Sequence, residues 1–246
     1  MNMNHLILLA ESGSDITPEL AEANGIVIVP MHVSFGGETR DDGSFPVPEM
    51  FEFYKKHREL PRTSGCTPHD FEVVFERLDR EYPGVPILYL AYSSSTTCSM
   101  QSALIAAQGR ENFLALDTKC VAAGQAAVVL TIARLLREHP ETTLEQAADA
   151  AKELIARARM GFIPGDLDYL RAGGRVSNAA YLGAKILGLH PVIEILDGKL
   201  LSTKKYRGTM GRVVRQLTKE FPQAQGLETD ALWLIYGEGL SGEVMR

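Results

Sequence analysis

The chain has few cysteines, and their placement rules out cross-linking. Cys66, Cys98 and Cys120 are an odd number in 246 residues, and no Cys-x-x-Cys occurs. A disulfide framework and a zinc ribbon are therefore excluded, and a reducing, cytoplasmic setting is expected. The six histidines are scattered, with neither His-x-His nor His-Glu-x-x-His among them. A metal site needs three or four convergent ligands, so no metal is expected. There is no Lys/Arg block, and 25 basic against 31 acidic residues leave a net charge of −6. Counterion release from nucleic acid needs a basic face, which argues against a nucleic-acid partner. The longest apolar run near the N-terminus, Leu6 to Ala10, is too short for a signal h-region or a membrane span. Neither a P-loop nor a Gly-x-Ser-x-Gly elbow is present. Gly237 to Gly242 formally satisfies Gly-x-Gly-x-x-Gly, but a dinucleotide site needs a helix behind the glycines and an acid further on. Only four residues remain after Gly242, so the match is read as chance and no cofactor is expected.

What is present describes an ordinary globular protein: 45% hydrophobic and 23% charged residues. Elements alternate through the first two thirds. His5–Ala10 reads as a buried strand. Thr17-Pro18-Glu19 supplies an N-cap, a proline at the first helical position and an acid in the first turn, opening a helix that stops at Gly25. Ile26–Val29, Met31–Phe35, Pro86–Ala91 and Phe113–Leu116 read as strands. Helices are expected over Glu49–Leu60, from Thr67-Pro68 to about Tyr82, and over Gln101–Ala107, Val121–Arg137 and Thr143–Arg159. Thr142-x-x-Glu145 and Thr143-x-x-Gln146 are overlapping capping boxes. Strands separated by helices imply βαβ units and a parallel sheet. After residue 160 the pattern changes: Pro191–Leu196, Asp197-Gly198 and Lys199–Tyr206 read as a hairpin with a type I′ turn. A helix from about Thr209 to Phe221 and a last strand over Ala231–Tyr236 follow. The fold class is α/β, with a doubly wound parallel-sheet domain over residues 1–160 and a smaller two-layer mixed-sheet domain over 161–246.

Three stretches carry candidate chemistry. Thr63-Ser64-Gly65-Cys66-Thr67-Pro68 and Ser93-Ser94-Ser95-Thr96-Thr97 are read as hydroxyl-rich loops, each preceding a helix. Loops at the carboxyl ends of parallel strands are where open α/β sheets bind ligands. Hydroxyls and backbone amides without a lysine suit a carboxylate or a single phosphate; capping alone explains the same residues equally well. The third stretch, Leu167 to Ser177, reads as a short helix ending at Gly173-Gly174. Arg175 is then bracketed in a tight turn, with Ser177 capping the next helix.

Taken together these stretches resemble the DegV family, bacterial fatty-acid-binding proteins that include the carrier subunit of fatty acid kinase. Glu11-Ser12-Gly13-Ser14-Asp15 is similar to the family's opening Asp-Ser-Thr/Ser-x-Asp, and Val29-Pro30 through Asp42-Gly43 to its Val-Pro…Phe-Gly…Asp-Gly run. Leu60 to Ser64, Ser93-Ser94 with Gln101-Ser102-Ala103, Leu167 to Ser177, and Asp197-Gly198 match four further signatures in order. The resemblance implies a DegV/dihydroxyacetone-kinase-like fold. It also implies a long-chain fatty acid in a deep apolar tunnel, between or beneath the two domains, with its carboxylate held by Thr63 and Ser94 beside Ser64 and Ser93. It implies further that Arg175 and Arg207 engage a separate fatty acid kinase subunit, which binds ATP, so that this chain is a lipid-binding subunit and no enzyme itself. The alternatives are a lipid sensor without phosphotransfer, or a stand-alone esterase or small-ketone phosphotransferase. Three departures stand out. Glu11 replaces the usual Asp; the Ser93–Ser99 loop lacks both glycines of the family's Ser-Ser-Gly-Leu-Ser-Gly-Thr; and Tyr236 stands where the family's last strand commonly ends in His. Family members usually continue past that strand, so the second domain is expected to be truncated at its C-terminal end.

Overall fold

In chain order the elements are β1 (Ile7–Glu11), α1 (Pro18–Asn24), β2 (Ile26–Val29), β3 (His32–Phe35), β4 (Glu38–Asp41), α2 (Val47–His57), β5 (Arg62–Ser64), α3 (Pro68–Glu81), β6 (Ile87–Ala91), α4 (Ser99–Ala106), β7 (Phe113–Asp117), α5 (Ala122–Glu138), α6 (Leu144–Arg157), β8 (Gly161–Phe162), α7 (Asp168–Ala172), β9 (Leu189–Leu196), β10 (Lys199–Arg207) and α8 (Met210–Gln225). The computed structural model describes residues 5–175, 188–227, 232–237, 240–242 and 244, and the chain falls into two units, residues 1–158 and 159–246.

The first unit is built on a parallel four-stranded sheet in the order β2-β1-β6-β7. Every residue of β1 and of β6 is buried, as two-sided covering by helices requires. Because side chains alternate across the pleat, Leu8, Ala10, Leu88 and Leu90 pack with α5 and α6 on one face. Ile7, Leu9, Ile87 and Tyr89 pack with α3 and α4 on the other, where Phe71 stacks edge-on to Tyr89 at 5.3 Å between ring centroids. The strand order reverses direction at β1 and β6, so the crevice at their carboxyl ends is the topological switch point.

Helix starts follow the sequence signals closely. Thr17 Oγ1 accepts the Leu20 N–H, and Gly25 ends α1 in the left-handed region. Thr67 with Asp70 and Thr143 with Gln146 form capping boxes for α3 and α6. Thr142 does not cap with Glu145; its hydroxyl donates instead to the His139 carbonyl at 2.7 Å.

One departure from the sequence expectation lies at β3. β3 does not join the parallel sheet, but forms a separate antiparallel sheet in the order β4-β3-β5. Pro30 interrupts the run between β2 and β3, lacks the N–H that a continuing ladder needs, and lets the chain leave the sheet. In the second unit the described strands pair only antiparallel, in the order β10-β9-β8, because a two-residue hairpin joins the longest two. Asp197 and Gly198 both have positive φ (49° and 79°), the signature of the type I′ turn. Val192, Tyr206 and Val213 form the buried core there, flanked by Ile163 and Leu217. The strand expected over Ala231–Tyr236 is not formed where it is described: residues 232–237 carry no strand, and Leu234 is 81% exposed. An apolar run makes a strand only where a neighbour offers a free edge; Ala231 lies outside the described residues.

Phe71 is fully buried against Tyr89 and Phe75. Phe71→Ala is expected to cost about 3–5 kcal/mol of unfolding free energy in urea titrations. Leu104→Ala, on an exposed side chain, should stay within about 0.5 kcal/mol.

Candidate functional site

Glu11, the last residue of β1, is fully buried at the switch point. A carboxylate withdrawn from water needs donors, and three supply them. The Tyr89 hydroxyl donates to Oε1 at 2.5 Å, the Tyr92 N–H reaches both oxygens at 3.1 and 3.0 Å, and Gln125 Nε2 donates to Oε2 at 2.7 Å. Gln125 Nε2 also donates to the Leu90 carbonyl at 2.8 Å. These bonds tie the ends of β1 and β6 to α5. Burial outweighs the donors and pushes the Glu11 carboxyl above its ordinary range, and burial and Glu11 together push the Tyr89 phenol well up.

The hydroxyl loop starts one residue beyond Tyr92. Ser93 is buried, donates its N–H to the Cys120 carbonyl at 2.9 Å, and accepts the N–H groups of Thr96 and Thr97 on its own carbonyl at 3.0 and 3.2 Å. The Ser93 hydroxyl accepts the Ser95 N–H at 3.3 Å. The loop therefore closes as a tight hydrogen-bonded turn without either glycine. Ser94 is exposed, and both its N–H (3.3 Å) and its hydroxyl (2.5 Å) donate to the carboxylate of Asp117, the last residue of β7. An open depression of about 670 Å³ beside it is lined by Ser94, Thr96, Thr97, Met100 and Leu104 among others.

Thr63 and Ser64 do not lie in a loop at the end of a parallel strand. They end β5, opposite Val33 and His32 of β3, and are exposed. Their sheet is anchored through His32, whose Nδ1 faces Asp41 at 3.1 Å and whose Nε2 faces Asp70 at 2.9 Å. Asp70 in turn accepts the Thr67 N–H at 2.6 Å within the capping box of α3. Burial opposes ionisation of Asp70, but the Thr67 and His32 hydrogen bonds outweigh it and hold the carboxyl below its usual range.

The two hydroxyl segments meet at Gly65. A Cβ there would lie 2.1 Å from Thr97 Oγ1 and 2.6 Å from Ser99 Oγ, so only glycine permits this approach. The next residue closes the junction: the Cys66 N–H donates to Ser99 Oγ at 3.1 Å, and the buried Cys66 thiol is pushed up by desolvation and by the nearby Glu11.

Arg175 and Arg207 belong to the second unit. Arg175 follows α7, donates its N–H to the Leu170 carbonyl at 2.8 Å, and turns its guanidinium back to the Gly173 carbonyl. Of the two glycines, Gly174 alone is left-handed, with φ of 74°. Ser177 lies outside the described residues. Arg207 is exposed and ends β10 opposite Leu189. His32 and Asp117 escaped the residue-level reading, and Glu11 and Gly65 were named in motifs without their structural roles. For Glu11 and Asp117 the available signal was an acid closing an otherwise apolar strand.

Because folding raises the Glu11 pKa above the model-peptide value of 4.5, the folded state binds the extra proton above that pH. The Glu11 contribution is then complete below 4.5 and is lost as pH rises through the folded value. Relative to Glu11→Gln, wild-type stability in urea should accordingly fall from pH 4 to pH 8. A difference that is constant with pH would contradict the burial argument.

Comparison with known proteins agrees with this architecture. The family profile described as "Uncharacterised protein, DegV family" matches residues 6–244. A DegV domain-containing protein of Caldanaerobacter subterraneus subsp. tengcongensis is 31% identical over 84% of this chain and 73% of its own. Protein DegV of Bacillus subtilis is 25% identical over 82% and 72%. Among solved structures, a fatty-acid-binding DegV family protein from Thermus thermophilus superposes with a TM-score of 0.79 at 27% identity, covering 90% of this chain and 78% of its own. A stearic acid-binding protein from Eubacterium ventriosum gives 0.76 at 26%, covering 88% and 76%. With one profile spanning nearly its whole length, the chain belongs to the DegV family.

Proposed function

We propose that this protein binds a long-chain fatty acid and presents its carboxylate to a separate, ATP-dependent fatty acid kinase subunit in the cytoplasm, catalysing no reaction itself. The observation that carries the reading is the junction at Gly65, where the β5 segment bearing Thr63 and Ser64 packs onto the turn bearing Ser93 and Ser94. Support comes from the Thermus thermophilus and Eubacterium ventriosum relatives, which are described as binding fatty acid and stearic acid. Thr63 and Ser94 are the exposed hydroxyls assigned to the head group. Ser64 stands beside Thr63 on the strand, and Ser93 shapes the turn.

The energetics favour retention without chemistry. Burying about fifteen methylenes at ~0.8 kcal/mol each yields a gross ~12 kcal/mol, against several kcal/mol of association and ordering cost. Micromolar binding needs only about 8 kcal/mol.

Organic extraction of the purified protein followed by mass spectrometry is expected to release a long-chain fatty acid. Thr63→Ala with Ser94→Ala should weaken retention, since each donor to a charged group is worth ~1.5–3 kcal/mol. Lipid-free protein with no fatty-acid heat in calorimetry would end this reading.

The kinase role is assigned to the arginines of the second unit. A guanidinium adds nothing to an acyl tunnel, but it offers bidentate donors and a fixed charge to a docking subunit or a developing acyl phosphate. Arg175→Ala and Arg207→Ala are expected to keep fatty-acid affinity within about 1 kcal/mol, while sharply lowering ATP-dependent acyl phosphate formation when the kinase subunit is supplied. Equal loss of lipid binding in both variants would place these arginines in the pocket instead.

A further inference from the structure

We propose that Asp117 is a specificity-determining residue of the hydroxyl turn: an internal carboxylate that holds the Ser94 hydroxyl and that an anionic ligand must displace from it. The inference rests on the fatty-acid reading above and adds a residue to it. β6 and β7 are parallel neighbours with Ala91 opposite Asp117, so the Asp117 side chain projects from the sheet end beside the turn that follows Ala91. Its Oδ2 accepts the hydrogen bond of the Ser94 hydroxyl at 2.5 Å, and its Oδ1 accepts the N–H groups of Ser94 at 3.3 Å and Lys119 at 2.8 Å.

A serine hydroxyl carries a single proton. While Asp117 receives it, Ser94 shows a ligand only lone pairs, which a carboxylate head group cannot use. The two carboxylates are also both acceptors and both negative, so a head group brought to Ser94 is repelled by Asp117. A fatty acid therefore engages Ser94 only when the O–H rotates from Asp117 to the ligand, leaving Asp117 its backbone amides and water. A neutral head group meets no such opposition, since an alcohol can donate its own proton to the Asp117 carboxylate. Asp117 thus lowers affinity for the anion specifically and narrows the preference between anionic and neutral lipids of equal chain length.

The test measures binding of palmitate and of hexadecanol to wild type, Asp117→Asn, Ser94→Ala and the double variant. Asn keeps an oxygen for the Lys119 N–H, and Asp117→Ser serves as a second variant of reduced size. Asp117→Asn is expected to tighten palmitate by about three- to tenfold, to leave hexadecanol unchanged or weaker, and to lose much of its gain in the Ser94→Ala background, where only the relief of charge repulsion remains. Unchanged palmitate binding, an equal gain for hexadecanol, or a gain undiminished without the Ser94 hydroxyl would each overturn the role of Asp117 while leaving fatty-acid binding intact. If neither wild type nor any variant binds palmitate, the fatty-acid reading itself fails and this inference with it.

Discussion

The carboxyl group of Glu11 is enclosed where two parallel strands end, and that enclosure constrains everything above it. Withdrawing such a group from water costs several kcal/mol unless donors replace the lost hydration. Here the donors are the Tyr89 hydroxyl, the Tyr92 N–H and the Gln125 amide. Each carboxyl oxygen accepts from two of the three, so displacing any one weakens the enclosure. Tyr92 is the residue from which the hydroxyl turn departs, so the turn begins from a pinned backbone. From that origin Ser93 closes the turn through its own carbonyl and hydroxyl, with no need of the conformational freedom that glycine would bring.

The strand ends are also acidic, which shapes what a ligand can gain there. Besides Glu11 and Asp117, burial and the neighbouring Asp42 push Asp15 up to about 6, and Asp41 and Asp70 flank His32. On the fatty-acid reading the affinity comes from the hydrocarbon chain, at ~0.8 kcal/mol per methylene. The head-group hydroxyls then decide orientation and discrimination, because the few kcal/mol at stake there are divided between the ligand and Asp117.

Much of the fold was legible because its signals are local. Thr17-Pro18, Thr67-Pro68 with Asp70, and Thr143 with Gln146 announce helices through side chains that bond the backbone within one turn. Asp197-Gly198 announces a hairpin through two left-handed residues. β4 and β5 escaped because Glu-Thr-Arg-Asp and Arg-Thr-Ser bury no apolar face, and only their long-range pairing with β3 makes them strands. Thr63 and Ser64 were found as residues but placed in a loop for that reason. Glu11 was seen as a variant of a motif, yet its burial was invisible, since an isolated carboxylate ordinarily reads as surface. The apolar run Leu232–Tyr236 misled in the opposite direction: hydrophobicity suggested a strand, but pairing is decided by a partner edge, and residues 232–237 have none among the described strands.

The two units also differ in how their order is maintained. The first has two apolar cores, one on each face of its sheet, and can absorb the cost of a buried charge at a strand end. Among the described residues of the second, Val192, Tyr206 and Val213 form one small buried cluster, and polar links join β10 to α8. The main one is Glu220, which accepts from Lys204, Gln216 and the Tyr206 hydroxyl and is drawn down to about 2, chiefly by Lys204. Such exposed pairs are screened by solvent and contribute little to stability. On the fatty-acid reading, placing a head group to within a hydrogen bond's tolerance falls to the first unit, whose β1 and β6 ends are tied to α5. On the kinase reading proposed above, the exposed, hairpin-borne Arg207 and the turn-borne Arg175 serve a contact that forms and breaks with a partner.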